Sequence, residues 1–166
     1  MAGFPKMIES GLFTWALANP ALQLLLGQSD EEKGKKIFSS FYFSFLPKDP
    51  ILPGILFDRL KSEEADDTLD ARTALPGTLM EGRFQFGCVA QDSPENPVNP
   101  SGYLSAALLS QALRLQIMGL ATGRFELPDG TAIQDVRIDD EFDAHFELGG
   151  QGYIYRRMLM ATIFFN

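Results

Sequence analysis

The residues of this chain that could take up a proton, attack carbon or hold a metal are few, and their spacing is uninformative. Among 166 residues there is one histidine, His145, and one cysteine, Cys88. A Ser-His-Asp or Cys-His arrangement would have to use His145 as its base, and no nucleophile elbow or other local signature accompanies it. Cys88 falls on the same side of an alternating segment as Phe84 and Phe86, where a free thiol behaves as a small buried hydrophobe. One histidine and one cysteine cannot build the usual zinc sets, and the acids follow no calcium-loop spacing. Gly119 and Gly123 form neither a dinucleotide fingerprint nor a phosphate loop. The carboxylates Asp139, Asp140 and Glu141 are adjacent but lie in solubilising surroundings, so acid-base catalysis has no positioned pair. The expectation is a chain that is not an enzyme, with no cofactor and no metal.

The charged residues are more suggestive. The net charge of −8 argues against a nucleic-acid-binding surface, which rests on clustered Lys and Arg. The densest charged run is acidic: Glu63, Glu64, Asp66, Asp67 and Asp70. Such a block is expected as a solvated loop or, functionally, as a patch that repels a polyanion. Fourteen Phe and 45% hydrophobic residues set the chain apart from disordered sequences and suffice for one domain, residues 1–166, with its own core. A lone cysteine suits a reducing cytosol. The apolar stretch from Gly11 to Leu26 is interrupted by Asn19-Pro20 and is shorter than the roughly 20 residues a bilayer requires, so a soluble helix is expected.

The elements that must position these residues follow from periodicity. Ile8, Leu12, Trp15 and Ala16 fall at i, i+4, i+7 and i+8, which predicts a helix over Lys6 to Asn19. Asn19 and Pro20 then suit the cap and first turn of a second helix ending before Gly27. Gln28 to Lys36 is expected as turn or loop. Ile37 to Phe45 and Ile55 to Leu60 have strand composition, with the acidic loop following the second. Thr78 to Ala90 alternates Met80, Phe84, Phe86 and Cys88 against Glu81, Arg83 and Gln85, a strand covered on one face. Asn99-Pro100 is expected to cap a helix running to about Leu120, whose apolar stripe is Leu104, Leu108, Ala112 and Leu115, flanked by Leu109, Leu113 and Ile117. Asp129-Gly130 signals a turn into a strand from Ile133 to Asp139, and Glu141 to Gly152 a loop that would carry His145. Tyr153 to Phe165 is apolar on both alternations except at Arg156 and Arg157, the composition of a central strand covered on both sides. The expected class is α+β, with a single mainly antiparallel sheet of about four to five strands and the N-terminal and central helices on one face.

Three segments occur in a recognisable order: Leu52-Pro53-Gly54-Ile55-Leu56-Phe57-Asp58-Arg59, then Phe84-Gln85-Phe86-Gly87-Cys88-Val89-Ala90 followed by a helix, then Tyr155-Arg156-Arg157 leading into the last strand. From about Lys6 onward the chain thus resembles the tail-completion, or tail-terminator, proteins of siphophages and prophages. That resemblance implies a structural virion subunit without cofactor, made in the bacterial host cytoplasm and incorporated at the head-tail junction. It implies a homo-oligomeric ring, commonly a hexamer, on the head-proximal end of the tail tube. Its partners would be further copies of itself, the tail tube protein and the head connector or stopper, with DNA passing through the channel and no membrane involved. A head-closure or neck adaptor is an alternative within the virion, and a small-ligand-binding or enzymatic α+β domain is an alternative of another class.

Arg156 and Arg157 are the candidate subunit-interface residues. Neighbours in a strand point to opposite faces, so at most one of them shares the helix-covered face. Arg157, which alternates with Tyr155 and Leu159, is the preferred interface residue. A salt bridge within the subunit, or a stem lying over apolar surface, is the alternative for either. The acidic segment is the candidate channel lining or docking surface.

Overall fold

The computed structural model describes residues 8–26, 41–43, 46, 52–64, 79–92, 101–121, 125–128, 130–147 and 153–166. The fold is α+β, with helices packed against one face of a sheet. Among the described residues the helices are α1 (Ile8–Ala18), α2 (Pro20–Leu26) and α3 (Gly102–Gly119). The strands are β1 (Phe41–Phe43), β2 (Gly54–Glu64), β3 (Met80–Gln91), β4 (Ile133–Glu147) and β5 (Tyr153–Phe165), in the spatial order β1-β2-β3-β5-β4. The four long strands are antiparallel, and the three-residue β1 runs parallel to β2 along one edge.

The N-terminal helices form where the periodicity places them. Ile8, Leu12, Trp15 and Ala16 are buried, and the Asn19 side-chain oxygen accepts from the Ala21 and Leu22 amides at 3.0 and 3.3 Å. That cap satisfies donors the first turn of α2 would otherwise leave open. The Asn19 amide donates to Gln116 Oε1 at 3.0 Å, tying the α1–α2 junction to α3. Arg59 of β2 pairs with Glu9 of α1 at 2.8 Å.

The helix-covered face of the sheet carries the main core. Phe57, Phe84, Phe86, Cys88, Leu159, Ala161 and Ile163 meet Leu109, Leu113 and Ile117 of α3. The Phe57 ring stacks on Phe84 with centroids 5.6 Å apart and lies tilted against Phe86 at 5.1 Å, a favourable offset of aromatic quadrupoles. On the other face Leu56, Val89 and Ile154 form a smaller core with Tyr42, Leu46 and Leu52. The central position of β5, buried on both faces, is the one its composition requires.

Several elements depart from the sequence reading. The strand starting at Ile55 does not give way to a loop after Leu60: β2 continues to Glu64, with Glu63 opposite Glu81 and Glu64 opposite Met80. Backbone pairing to the long β3 offsets the weak strand propensity of these polar residues. Helix α3 is capped by Ser101, whose hydroxyl accepts from the Leu104 amide at 3.3 Å, and not by Asn99-Pro100. Its buried stripe is Ala106, Leu109, Leu113 and Ile117, while Leu104, Leu108 and Leu115 point away from the sheet. Both stripes have helical spacing, and the one with small Ala106 and Ser110 allows close approach to the sheet.

The strand beginning at Ile133 runs to Glu147, not Asp139, so His145 belongs to a strand, opposite Tyr155, and not to a loop. Gln134 and Asp139 are each an extra residue in the ladder, since Ile133 and Asp135 oppose Phe165 and Phe164, and Ile138 and Asp140 oppose Ala161 and Met160. These bulges break the simple alternation and hide the length of the strand. The segments expected as loop at Gln28 to Lys36, most of the strand expected at Ile37 to Phe45, and Asp66, Asp67 and Asp70 lie outside the described residues.

Candidate interaction surface

Gly102 brings the start of α3 against the end of β3. A Cβ at that position would lie 2.6 Å from the Gln91 carbonyl carbon and 2.7 Å from the Asp92 nitrogen, so only glycine permits the approach. The Gly102 amide donates to Asp92 Oδ1 at 2.8 Å, placing a carboxylate at the positive end of the helix. From this anchor α3 crosses the sheet between two polar tethers: the Asn19–Gln116 bond on one flank and a cluster with β4 and β5 on the other.

That cluster begins with the bulge at Asp139. Residues opposite one another in an antiparallel ladder share a face. Glu141 opposes Leu159 and Asp143 opposes Arg157, so both acids turn to the side of the helices. Ser110 Oγ, fully buried, donates to Glu141 Oε1 at 3.0 Å, and Arg114 Nη1 reaches Glu141 Oε2 at 3.3 Å. Arg157 grips Asp143 with two bonds, Nε to Oδ1 at 2.8 Å and Nη2 to Oδ2 at 3.3 Å, and lies 4.0 Å from Glu141. Both acids and Arg157 thus link α3, β4 and β5 within one chain. Cys88 lies opposite Arg157 on β3 and is buried. Burial first, then the Glu141 charge, push its thiol up against the opposing effects of Ser110 and Arg157.

The two arginines diverge as strand geometry requires. Arg157 takes the helix-covered face and fills its fork from its own chain, the intrasubunit arrangement weighed against an interface role. Arg156 takes the opposite face, in register with Val89 and Ala144, and its Cδ lies near Gly87. Burial lowers its pKa. A second polar group occupies that outer face: Arg137 Nε meets Asp139 Oδ1 at 2.8 Å, and Thr162 Oγ1 donates to Asp139 Oδ2. Burial alone would raise the Asp139 carboxyl. The bonds from Thr162 and Arg137, with the charges of Arg137 and Arg83, hold it below the usual carboxylate range.

Of the acidic segment only the backbone of Glu63 and Glu64 lies within the described residues. Glu63 and Glu64 have strand backbone at the far end of β2, remote in the ladder from the Arg157 group. The two features sequence reasoning missed are the Ser110–Glu141–Arg157–Asp143 group and the outward face of α3. On that face Leu104, Leu108, Leu115 and Met118 are 52, 47, 62 and 45% exposed. The side-chain spacing of these residues was visible in the sequence but was assigned to the core.

At about 100° per residue, this outward stripe lies diametrically opposite the buried one. Arg114 is the only charged residue in the helix. Aliphatic side chains in a row with one cation at the margin cannot carry out acid-base or nucleophilic chemistry, but they can bind another apolar surface. Among the described residues there is no group of three or more potential metal ligands, and no helix is long and apolar enough to cross a membrane. No protein-family model matches the chain, and no curated protein matches it significantly.

Proposed function

We propose that the chain is a structural virion subunit of the tail-completion kind, assembling as a ring that caps the head-proximal end of a phage tail tube and joins it to the head connector. The observation that carries this reading is the outward face of α3, where Leu104, Leu108, Leu115 and Met118 are exposed together with Tyr103. Contiguous apolar surface of this kind is characteristic of chains that assemble. The resemblance supports the same reading: its three sequence segments fall in β2, β3 and β5, which are consecutive in the sheet. The net charge of −8 suits a channel through which DNA passes without adhering. The role requires no reaction, cofactor or metal.

The test is to mix the purified chain with isolated tail tubes and image the tubes by negative stain, with native mass spectrometry of the chain alongside. A ring at one end of each tube is the expected result. Binding to filled heads but not to tubes would move the chain to the head-closure position. A monomer that ignores both and retains an apolar ligand would overturn the virion reading. In a phage complementation test, Glu63, Glu64, Asp66, Asp67 and Asp70 replaced by Gln or Asn should leave folding intact and alter DNA passage or head docking. Normal infectivity of that variant would reduce the segment to a solvated feature.

A further inference from the structure

The end of the chain fixes which way each amide of β4 points. Ala132 and Asn166 exchange both backbone bonds, at 3.0 and 3.1 Å, and hydrogen-bonded and non-hydrogen-bonded pairs alternate along an antiparallel ladder. Counting back along β5, Phe164, Thr162 and Met160 therefore turn their bonds to β4, while Phe165, Ile163, Ala161 and Leu159 turn theirs to β3. The β4 residues opposite the second set are Ile133, Val136, Ile138 and Glu141, so their amides leave the strand on its far side. That side is the border of the sheet: β4 stands last in the order, with β5 as its one neighbour among the described strands.

These border amides are taken up from within the chain. Ile133 donates to the Phe125 carbonyl at 2.7 Å. Val136 donates to Asp135 Oδ1 and Glu141 to Asp140 Oδ1, each at 2.8 Å. The two carboxylates occupy equivalent places in a repeated arrangement: each follows the extra residue of a bulge, Gln134 in one and Asp139 in the other, and each caps the amide directly after it. Both side chains are exposed. The other acids of this stretch serve elsewhere, Asp139 on Arg137, Glu141 on Arg114 and Asp143 on Arg157. Among the described residues Asp135 and Asp140 meet no cation, and what each holds is a border amide.

We infer that Asp135 and Asp140 are an autoinhibitory pair that closes the β4 border to strand addition by a second copy of this chain. A border strand offers its outward donors as a template for another chain. Here a docking strand would have to displace both carboxylates before it reached the Val136 and Glu141 amides. The bulges add a second obstacle, because they interrupt the even spacing that a new ladder requires. The Ile138 amide lies between the two capped positions, so from Ile133 to Glu141 no run of successive donors is left. The inference stands on the geometry of β4 and not on the tail-completion reading. Its bearing on that reading is that a subunit assembling through α3 has a competing sheet-to-sheet contact shut off.

The experiment compares two double variants of the full-length chain, Asp135→Ala with Asp140→Ala and Asp135→Asn with Asp140→Asn. Both remove the same two charges, but only Asn keeps an oxygen that can accept from the following amide. Amide hydrogen exchange reads the caps, and sedimentation velocity over a concentration series reads association, with circular dichroism as the folding control. In the Ala variant, exchange at Val136 and Glu141 should speed up by about tenfold or more, the scale of one lost hydrogen bond. The same variant should associate at concentrations where the wild type does not, with new protection along β4 in the associated form. The Asn variant should match the wild type in both measurements. A folded Ala variant with faster exchange but no added association would reduce the carboxylates to local caps and overturn the inference. Equal association by the Ala and Asn variants would also overturn it, since charge and not the bond would then keep the border closed. Should the double Ala variant fail to fold, Asp135→Ala and Asp140→Ala are read singly: each should free its own following amide and promote association, and association by neither would overturn the inference. Tail capping is read in a separate assay, so either can fail without the other.

Discussion

Arg157 and Asp143 are register partners across the β5–β4 ladder, and their side chains close the pair with bonds of 2.8 and 3.3 Å on the face covered by α3. Two parallel bonds from a planar guanidinium fix both strands against sliding. The neighbouring Glu141 links the same arginine to Ser110 and Arg114 of the helix.

Arg157→Ala should lower stability by on the order of 1 kcal/mol, the scale of a partly exposed but bidentate pair. Asp143→Asn should cost a similar amount, and the double variant should cost less than the sum, because both changes remove one interaction. Thermal unfolding of the four proteins gives the coupling directly. Full additivity would mean that the pair contributes nothing as a pair.

The glycines at the two ends of α3 should respond oppositely to the same substitution. Gly102→Ala drives a methyl into the backbone of Gln91 and Asp92, and a loss of about 1 to 3 kcal/mol is expected for such overpacking. At Gly119 nothing lies within 4 Å of the added Cβ. Gly119→Ala should therefore be neutral or raise stability by up to about 1 kcal/mol through helix propensity. Chemical denaturation of both variants checks the contrast.

The Cys88 thiol should be inert in the folded chain. It is fully buried and its pKa is pushed well up by burial and by Glu141, and the thiolate is the reactive form. A disulfide reagent at pH 8 should label it only at the rate of unfolding and completely in denaturant. Rapid labelling under native conditions would contradict the packing around β3. If the chain completes a phage tail as proposed, Cys88→Ala together with His145→Gln should leave tail joining intact in a complementation test.

Asp139 should make a small contribution to the acid side of the stability profile. Its carboxyl titrates below the usual value in the folded chain, so the folded state binds fewer protons than the unfolded state as the pH falls below about 4. The stabilisation is present above that point and is lost as pH falls through the depressed pKa. Asp139→Asn should flatten the profile in this window and nowhere above it, as followed by unfolding at a series of pH values.

Much of the fold was legible because it rests on local periodicity. Trp15 and its helical neighbours, the Asn19 cap, and the alternation of Phe84, Phe86 and Cys88 each reveal a face without reference to distant residues. The central place of β5 was legible too, since only a strand buried on both sides tolerates Ile154 and Leu159 on alternate faces. What escaped depended on two-for-one pairings. The bulge at Asp139 turns Glu141 toward Ser110, and no period-2 count survives such an insertion. In α3 two apolar stripes of equal regularity compete, and sequence cannot say which one the sheet receives. Small side chains at Ala106 and Ser110 decide it, because they let the helix approach closely. The intrachain partner of Arg157 escaped for a similar reason: Asp143, the acid that fills its fork, sat in what was expected to be a loop.

The order β1-β2-β3-β5-β4 also constrains how the sheet can be built during synthesis. Strand β4 is made before β5, yet among the described strands β5 is its one neighbour and separates it from β3. As the chain emerges, β2 and β3 can pair early, but β4 can reach only α3, through Glu141, and gains its described strand partner once β5 has been made. The acids Asp135, Asp140 and Asp143 along β4 suit that interval, because a charged strand waiting for its partner resists pairing with the wrong one.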